Sequence, residues 1–126
     1  MRLLVDSHVA LWWLDDHASL GTAARCQIAG ADEAYFSVVT PWELGIKRAL
    51  GKLAFPDGLV EALTAVGFAA LPIGSAHAEL APRLPAHHRD PFDRMLVAQA
   101  QMESLVLVTA DRSMDPYEVE LLDARQ

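Results

Sequence analysis

Short, wholly apolar runs set between segments of helical character constrain this chain more than any other feature. Leu3-Leu4-Val5 and Leu105-Val106-Leu107-Val108 carry no polar face for solvent, so they read as strands buried on both sides. The spacing predicts further strands over residues 33–37, 68–71 and 119–122. Helices are expected over 7–14, 21–29, 40–50, 57–66 (capped by Asp57), 75–81 (capped by Ser75) and 91–103, the last opened by Asp90-Pro91. Strands alternating with helices call for crossover connections and hence for a mainly parallel sheet. The expected class is α/β, a three-layer α/β/α sandwich formed by one domain spanning residues 1–126.

Half of the chain is apolar (52%) and a fifth charged (21%), a balance that supports a packed core and excludes a disordered chain. No apolar run approaches the roughly 20 residues needed to span a bilayer. The carboxylate at Asp6 interrupts anything resembling a signal-peptide apolar region, so a cytoplasmic, non-membrane protein is expected. The single cysteine, Cys26, has no disulfide partner and is read as a packing residue of its helix, as are Trp12, Trp13 and Trp42 on theirs. Met95, Leu96, Ala98 and Met102 recur at helical spacing and read as a buried face.

The placement of the acids is more informative than their number. In a parallel sheet, ligands bind beyond the carboxyl ends of the strands. Asp6 directly follows the first strand, and Asp111 follows the 105–108 run by a two-residue turn. Glu43 lies in the first turn of the helix after the second strand. Asp93 lies in the first turn of a helix that must run antiparallel to the strand it precedes. All four therefore meet at one edge, with Asp90 as a supporting acid three residues before Asp93. Each has a structural alternative when taken singly. Thr40-x-x-Glu43 has the form of a capping box, Asp93 sits where a helix dipole favours an acid, Asp6 could cap the next helix, and Asp111 could equally be a turn residue. Together they crowd like charges, a conflict that a divalent cation resolves. An oxygen-only donor set without a Cys/His constellation points to Mg²⁺, with Mn²⁺ as a substitute.

A net charge of −7 opposes nucleic-acid binding unless cations and local bases offset it. Lys47, Arg48, Lys52, Arg89, Arg94 and Arg112 all lie close to these acids in sequence, and Arg94 and Arg112 are the candidates for positioning a phosphate backbone. His87 and His88 offer a metal-free acid–base pair or metal ligands, but adjacent side chains point in different directions and the pair is read as solvated loop.

Four segments carry a resemblance to a known family. They are Leu3-Leu4-Val5-Asp6-Ser7-His8, Thr40-Pro41-Trp42-Glu43-Leu44-Gly45-Ile46-Lys47, His88-Arg89-Asp90-Pro91-Phe92-Asp93-Arg94-Met95-Leu96-Val97-Ala98-Gln99-Ala100, and Leu107-Val108-Thr109-Ala110-Asp111. In this order and spacing they resemble the PIN-domain ribonucleases, particularly the VapC-type toxins of bacterial toxin–antitoxin pairs. The resemblance implies a metal site centred on Asp6, Glu43 and Asp93 and assisted by Asp111. It also implies metal-dependent hydrolysis of RNA to 5′-phosphate and 3′-hydroxyl ends. An antitoxin is expected to cover the groove and insert a basic residue among the acids, and the toxin is expected to form a homodimer. Position 7 is Ser where this subgroup commonly has Thr, which preserves the hydroxyl.

Two other classes remain in view. Phosphoryl transfer on an aspartate also gathers acids and Mg²⁺ on an α/β sheet, but His8 occupies the place of the second Asp and no Lys follows Lys52. A non-catalytic interaction module would use the same acids only as helix caps.

Overall fold

In the computed structural model, which describes residues 1–126, five strands form one parallel sheet in the order β3-β2-β1-β4-β5. The strands are β1 (Arg2–Val5), β2 (Glu33–Ser37), β3 (Ala69–Leu71), β4 (Val106–Thr109) and β5 (Leu121–Asp123). The helices are α1 (Ser7–Asp15), α2 (Thr22–Ala29), α3 (Val39–Ala49), α4 (Leu59–Ala65), α5 (Ser75–Leu80) and α6 (Pro91–Glu103). The α/β expectation is met, with element ends differing by a residue or two.

Successive strand residues point to opposite faces of the sheet, and this sorts the core into two layers. Leu3, Val5, Val106 and Val108 pack with Val9 and Ala10 of α1, Ala24 and Ile28 of α2, and Leu63 of α4. Leu4 and Leu107 point the other way, against Leu96, Val97 and Ala100 of α6 and Val39 of α3. β1 pairs with β2 on one side and β4 on the other, so the chain reverses its direction of travel across the sheet at β1. The crevice beyond the carboxyl ends of β1 and β4 is therefore a topological switch point. No helix is long and apolar enough to cross a membrane.

Several local expectations are corrected. Cys26 is exposed, because Ala24 and Ile28 occupy the inward positions of α2. Trp42 is 63% exposed rather than packed on the sheet, its ring edge-on to Phe92. Trp12 and Trp13 are half-buried against the first core layer. On α6 the buried run is Leu96 to Ala100, while Met102 faces outward. Neither Asp57 nor Ser75 caps a helix. Gly58 precedes α4 in a left-handed conformation that suits glycine, while Asp57 pairs with Arg48. At α5 the Gly74 amide donates to Nδ1 of His77.

Candidate active site

Beyond the carboxyl edge lies a polar cleft of about 250 Å³ lined by Asp6, Ser7, His8, Glu43, Lys47, His88, Asp90, Asp93 and Asp111, with no hydrophobic residue among them. Its four principal acids arrive from four different elements, as the edge argument requires.

Asp6 ends β1 and caps α1, its Oδ1 accepting from the Val9 amide at 2.9 Å. Its Oδ2 accepts from the Thr109 hydroxyl at the end of β4, and Thr109 Oγ1 in turn accepts from the Asp111 amide at 3.0 Å. A single hydroxyl thus ties the ends of β1 and β4 together. The capping alternative for Asp6 is met by one oxygen only. Burial raises the Asp6 pKa, helped by the nearby Glu43 charge and opposed by these hydrogen bonds.

The Thr40–Glu43 capping box does not form. Val38 is the N-cap of α3, and the Val39 amide is taken by Ser37 Oγ. Thr40 turns inward instead, 3.0 Å from Ser7 Oγ. The Ser7 hydroxyl has one proton and gives it to Glu43 Oε1 at 2.7 Å, so Thr40 is the donor to Ser7. Lys47, one turn along α3, donates to Glu43 Oε2 at 2.9 Å. Glu43, only 3% exposed, is therefore held at both oxygens. Burial would lower the Lys47 pKa, but the bond to Glu43 and the charges of Asp90 and Asp93 outweigh it and raise the pKa.

Asp90 caps α6 through Oδ1, which accepts from the Phe92 and Asp93 amides at 2.8 and 3.3 Å. Asp93 itself accepts no aligned hydrogen bond from the protein. Its nearest partner is Nε2 of His88, 3.0 Å from Oδ2. Burial first, then the charges of Asp90, Glu43 and Asp6, push its pKa up to about 7, against a lowering contribution from His88. Asp111 is anchored through Oδ1 to the amide and hydroxyl of Ser113, so its turn role is real, while Oδ2 faces His88 at 3.2 Å. Burial pushes against ionisation of Asp111, but the Ser113 and His88 hydrogen bonds prevail and lower its pKa.

His88 corrects the reading of a solvated loop. Its Nδ1 accepts from the Asp90 amide at 3.2 Å, which places a proton on Nε2 and makes that atom a donor toward Asp111. The backbone of His88 is fixed as well, its amide donating to the Tyr117 hydroxyl and its carbonyl accepting from Arg94. His87 points elsewhere, its ring edge-on to Tyr117. One oxygen each of Asp93 and Asp111 lies within 4.8 Å of His88 Nε2 and of the other.

The structure separates the two arginines expected at the substrate. Both terminal nitrogens of Arg94 are engaged by carbonyls of Ala81, Pro82, Leu84, Pro85 and His88, at 2.7 to 3.3 Å. Arg94 therefore holds the loop that carries His88, and its donors are not available to a substrate. Arg112 stands at the rim beside Asp111, 88% exposed and 3.8 Å from Asp115. The sequence reads His88 as solvated loop after weighing it as a ligand, Thr40 as a cap, Lys47 as one of six nearby bases and position 7 as a preserved hydroxyl; Thr109 is the residue of the site to which it gives no role.

An all-oxygen set of carboxylates, three of them anchored by hydrogen bonds and one, Asp93, facing only His88 and resisting ionisation, fits a hard divalent cation. The donors are organised, and the burial and neighbouring negative charge that raise Asp93 are both what a cation would offset.

Comparison with known proteins identifies the family and the fold. The model of the PIN domain family matches residues 3–119. Ribonuclease VapC22 of Mycobacterium tuberculosis (strain ATCC 25618 / H37Rv) is 33% identical over 120 residues, covering 89% of this chain and 88% of that protein. Among solved structures, VapBC2 from Rickettsia felis bound to a DNA fragment from their promoter contains a chain superimposing with a TM-score of 0.71 at 12% identity, covering 98% of each. A toxin–antitoxin complex from Klebsiella pneumoniae gives a TM-score of 0.70 at 15% identity, again over 98% of both chains.

Proposed function

The chain belongs to the PIN domain family, and from that premise we propose that it is a divalent-metal-dependent endoribonuclease acting as the toxin of a toxin–antitoxin pair. The observation that carries this reading is the convergence of Asp6, Glu43, Asp93 and Asp111 in one polar cleft, with Asp93 lacking a protein hydrogen bond. Asp6 and Asp93 are the residues to hold the cation, with Glu43 and Asp111 completing the set directly or through water. Mg²⁺ is the expected ion and Mn²⁺ an effective substitute, since both accept carboxylate oxygens. When bound, such an ion would offset phosphate charge and lower the pKa of a bound water, making it a better nucleophile.

The chain's own residues organise the rest. Val9 and Thr109 fix the Asp6 carboxylate, and Ser7 with Thr40 behind it fixes Glu43, so neither has to reorganise when a cation enters. Asp93 must give up its proton, which its pKa of about 7 allows near neutrality. His88 steadies Asp111. Arg112 at the rim is placed to meet RNA backbone. Hydrolysis is expected to leave 5′-phosphate and 3′-hydroxyl ends.

The partner proposed is an antitoxin lying along the cleft, with a basic residue among the acids. Val38, Trp42, Ile46 and Leu50 recur every fourth residue and are all exposed, forming an apolar stripe along α3, the helix that also carries Glu43 and Lys47. Such a continuous exposed stripe suits a protein partner. A homodimer is proposed as the toxin's own assembly.

The test is incubation of the purified, partner-free chain with total cellular RNA in Mn²⁺, with and without EDTA, followed by mapping of the cut ends. Discrete cuts bearing 5′-phosphates and abolished by EDTA are expected. Cleavage that survives EDTA would contradict the metal site. No cleavage by folded, Mn²⁺-loaded protein would favour the interaction module.

A further inference from the structure

Resting on the reading of the cleft as an RNA-cleaving centre, we propose that Lys47 is a substrate-binding residue that grips a backbone phosphate of the RNA inside the cleft. Of the six bases close to the acids in sequence, it alone lines the cleft. Arg94 is committed to loop carbonyls, and Arg48 pairs with Asp57 and lies over the Phe55 ring. Arg112 lines a separate hollow with Asp115 and Asp123, and neither Lys52 nor Arg89 reaches the acidic wall. A site for a polyanion surrounded by acids needs a fixed cation of its own, and Lys47 is the one lysine or arginine among the residues lining the cleft.

The geometry explains how one ammonium can serve twice. Lys47 Nζ lies 2.9 Å from Glu43 Oε2, and its side chain remains 33% exposed. An ammonium has three rotatable N–H donors, and the ion pair with Glu43 uses one. Lys47 keeps two donors free toward solvent for an entering anion, and a divalent cation held by the carboxylates would further offset the Glu43 charge that Lys47 now balances. Glu43 and Lys47 lie one turn apart on the same helix, so the phosphate grip needs no loop to order.

The simpler alternative is that Lys47 only balances the charge of Glu43. The two roles differ in what they do to RNA. A phosphate contact contributes one counterion's worth of salt dependence, whereas a charge-balancing role changes metal affinity alone. The experiment compares wild type, Lys47→Gln and Lys47→Arg in Mn²⁺. KM and kcat for RNA cleavage are measured across a salt series of roughly 50–200 mM, the range over which phosphate contacts are read out. Mn²⁺ affinity is measured in parallel by calorimetry.

The expected result for Lys47→Gln is a KM raised about tenfold, and a slope of log(kcat/KM) against log[salt] reduced by about 0.7–0.9. Lys47→Arg should retain the wild-type slope. A Lys47→Gln variant with wild-type KM and slope overturns the proposal, whether or not it binds Mn²⁺ more tightly. Failure of the wild type itself to cut RNA in Mn²⁺ overturns the reading of the cleft, and the Lys47 assignment with it.

Discussion

Replacing Asp93 by Asn should make the metal-free protein more stable at alkaline pH while removing its response to Mn²⁺. Burial and the charges of Asp90, Glu43 and Asp6 push the Asp93 carboxyl from its ordinary value of 3.8 up to about 7. Between those values the folded chain holds a proton that the unfolded chain has released. Stability therefore falls as pH rises through this window, and the penalty is complete above about 7. At 1.36 kcal/mol per tenfold, the interval sets a ceiling of about 4 kcal/mol, which solvent screening of the partly exposed carboxyl reduces to about 1–2 kcal/mol. Asn cannot ionise and escapes the penalty, losing only a favourable helix-dipole contribution of about 0.3–1 kcal/mol. The burial penalty of Asp6 is common to both proteins and cancels in the difference, while its coupling to Asp93 is part of the effect measured. Denaturant unfolding in EDTA at pH 5 and pH 8 reads this directly. Wild type should lose stability relative to Asp93→Asn between the two pH values. With Mn²⁺ at pH 8 the order should reverse, because only wild type gains the binding energy. Equal pH slopes in EDTA, or an Asn variant less stable than wild type at pH 8, would refute the reasoning.

Two further expectations concern the surroundings of the cleft. Arg94→Met removes the donors that hold the carbonyls of the 81–88 loop, and should lower unfolding free energy by about 2–4 kcal/mol, as expected for a partly buried charged hydrogen-bond network; a loss below about 0.5 kcal/mol in a denaturant titration would show that the network is replaceable by water. Trp42→Glu, at a 63% exposed position, should leave RNA cleavage intact but weaken a co-expressed antitoxin by about 2 kcal/mol or more, as for a central aromatic anchor, and an unchanged Kd would remove the α3 stripe from the partner surface.

The fold was legible wherever the apolar pattern was unambiguous. β1, β2 and α6 fall within a residue of expectation because an uninterrupted apolar run, a short segment with paired aromatics and an Asp-Pro helix start admit few other structures. The four acids were legible for a related reason. Parallel strands end at a common edge, so position in the chain translates into position in space. What escaped depends on helix phase and loop path. Trp42 faces solvent because Val39, Glu43 and Leu44 take the inward positions of α3, a phase that an apolar count does not reveal. Thr40 had two possible roles, capping α3 together with Glu43 three residues on or pairing inward with Ser7, 33 residues away in sequence, and the inward one prevailed. His88 enters the cleft only because the Asp90 amide, the Tyr117 hydroxyl and the Arg94 guanidinium fix it, and those contacts span up to 29 residues of sequence.

The central claim is that carboxylates from four elements converge to hold a divalent cation, and a crystal grown in Mn²⁺ tests it through anomalous scattering at wavelengths either side of the manganese edge. The expected result is a peak in the cleft at coordination distance, roughly 2.0–2.3 Å, from carboxylate oxygens of Asp6 and Asp93. An anomalous map with no peak there, at Mn²⁺ concentrations that support RNA cleavage, would contradict it.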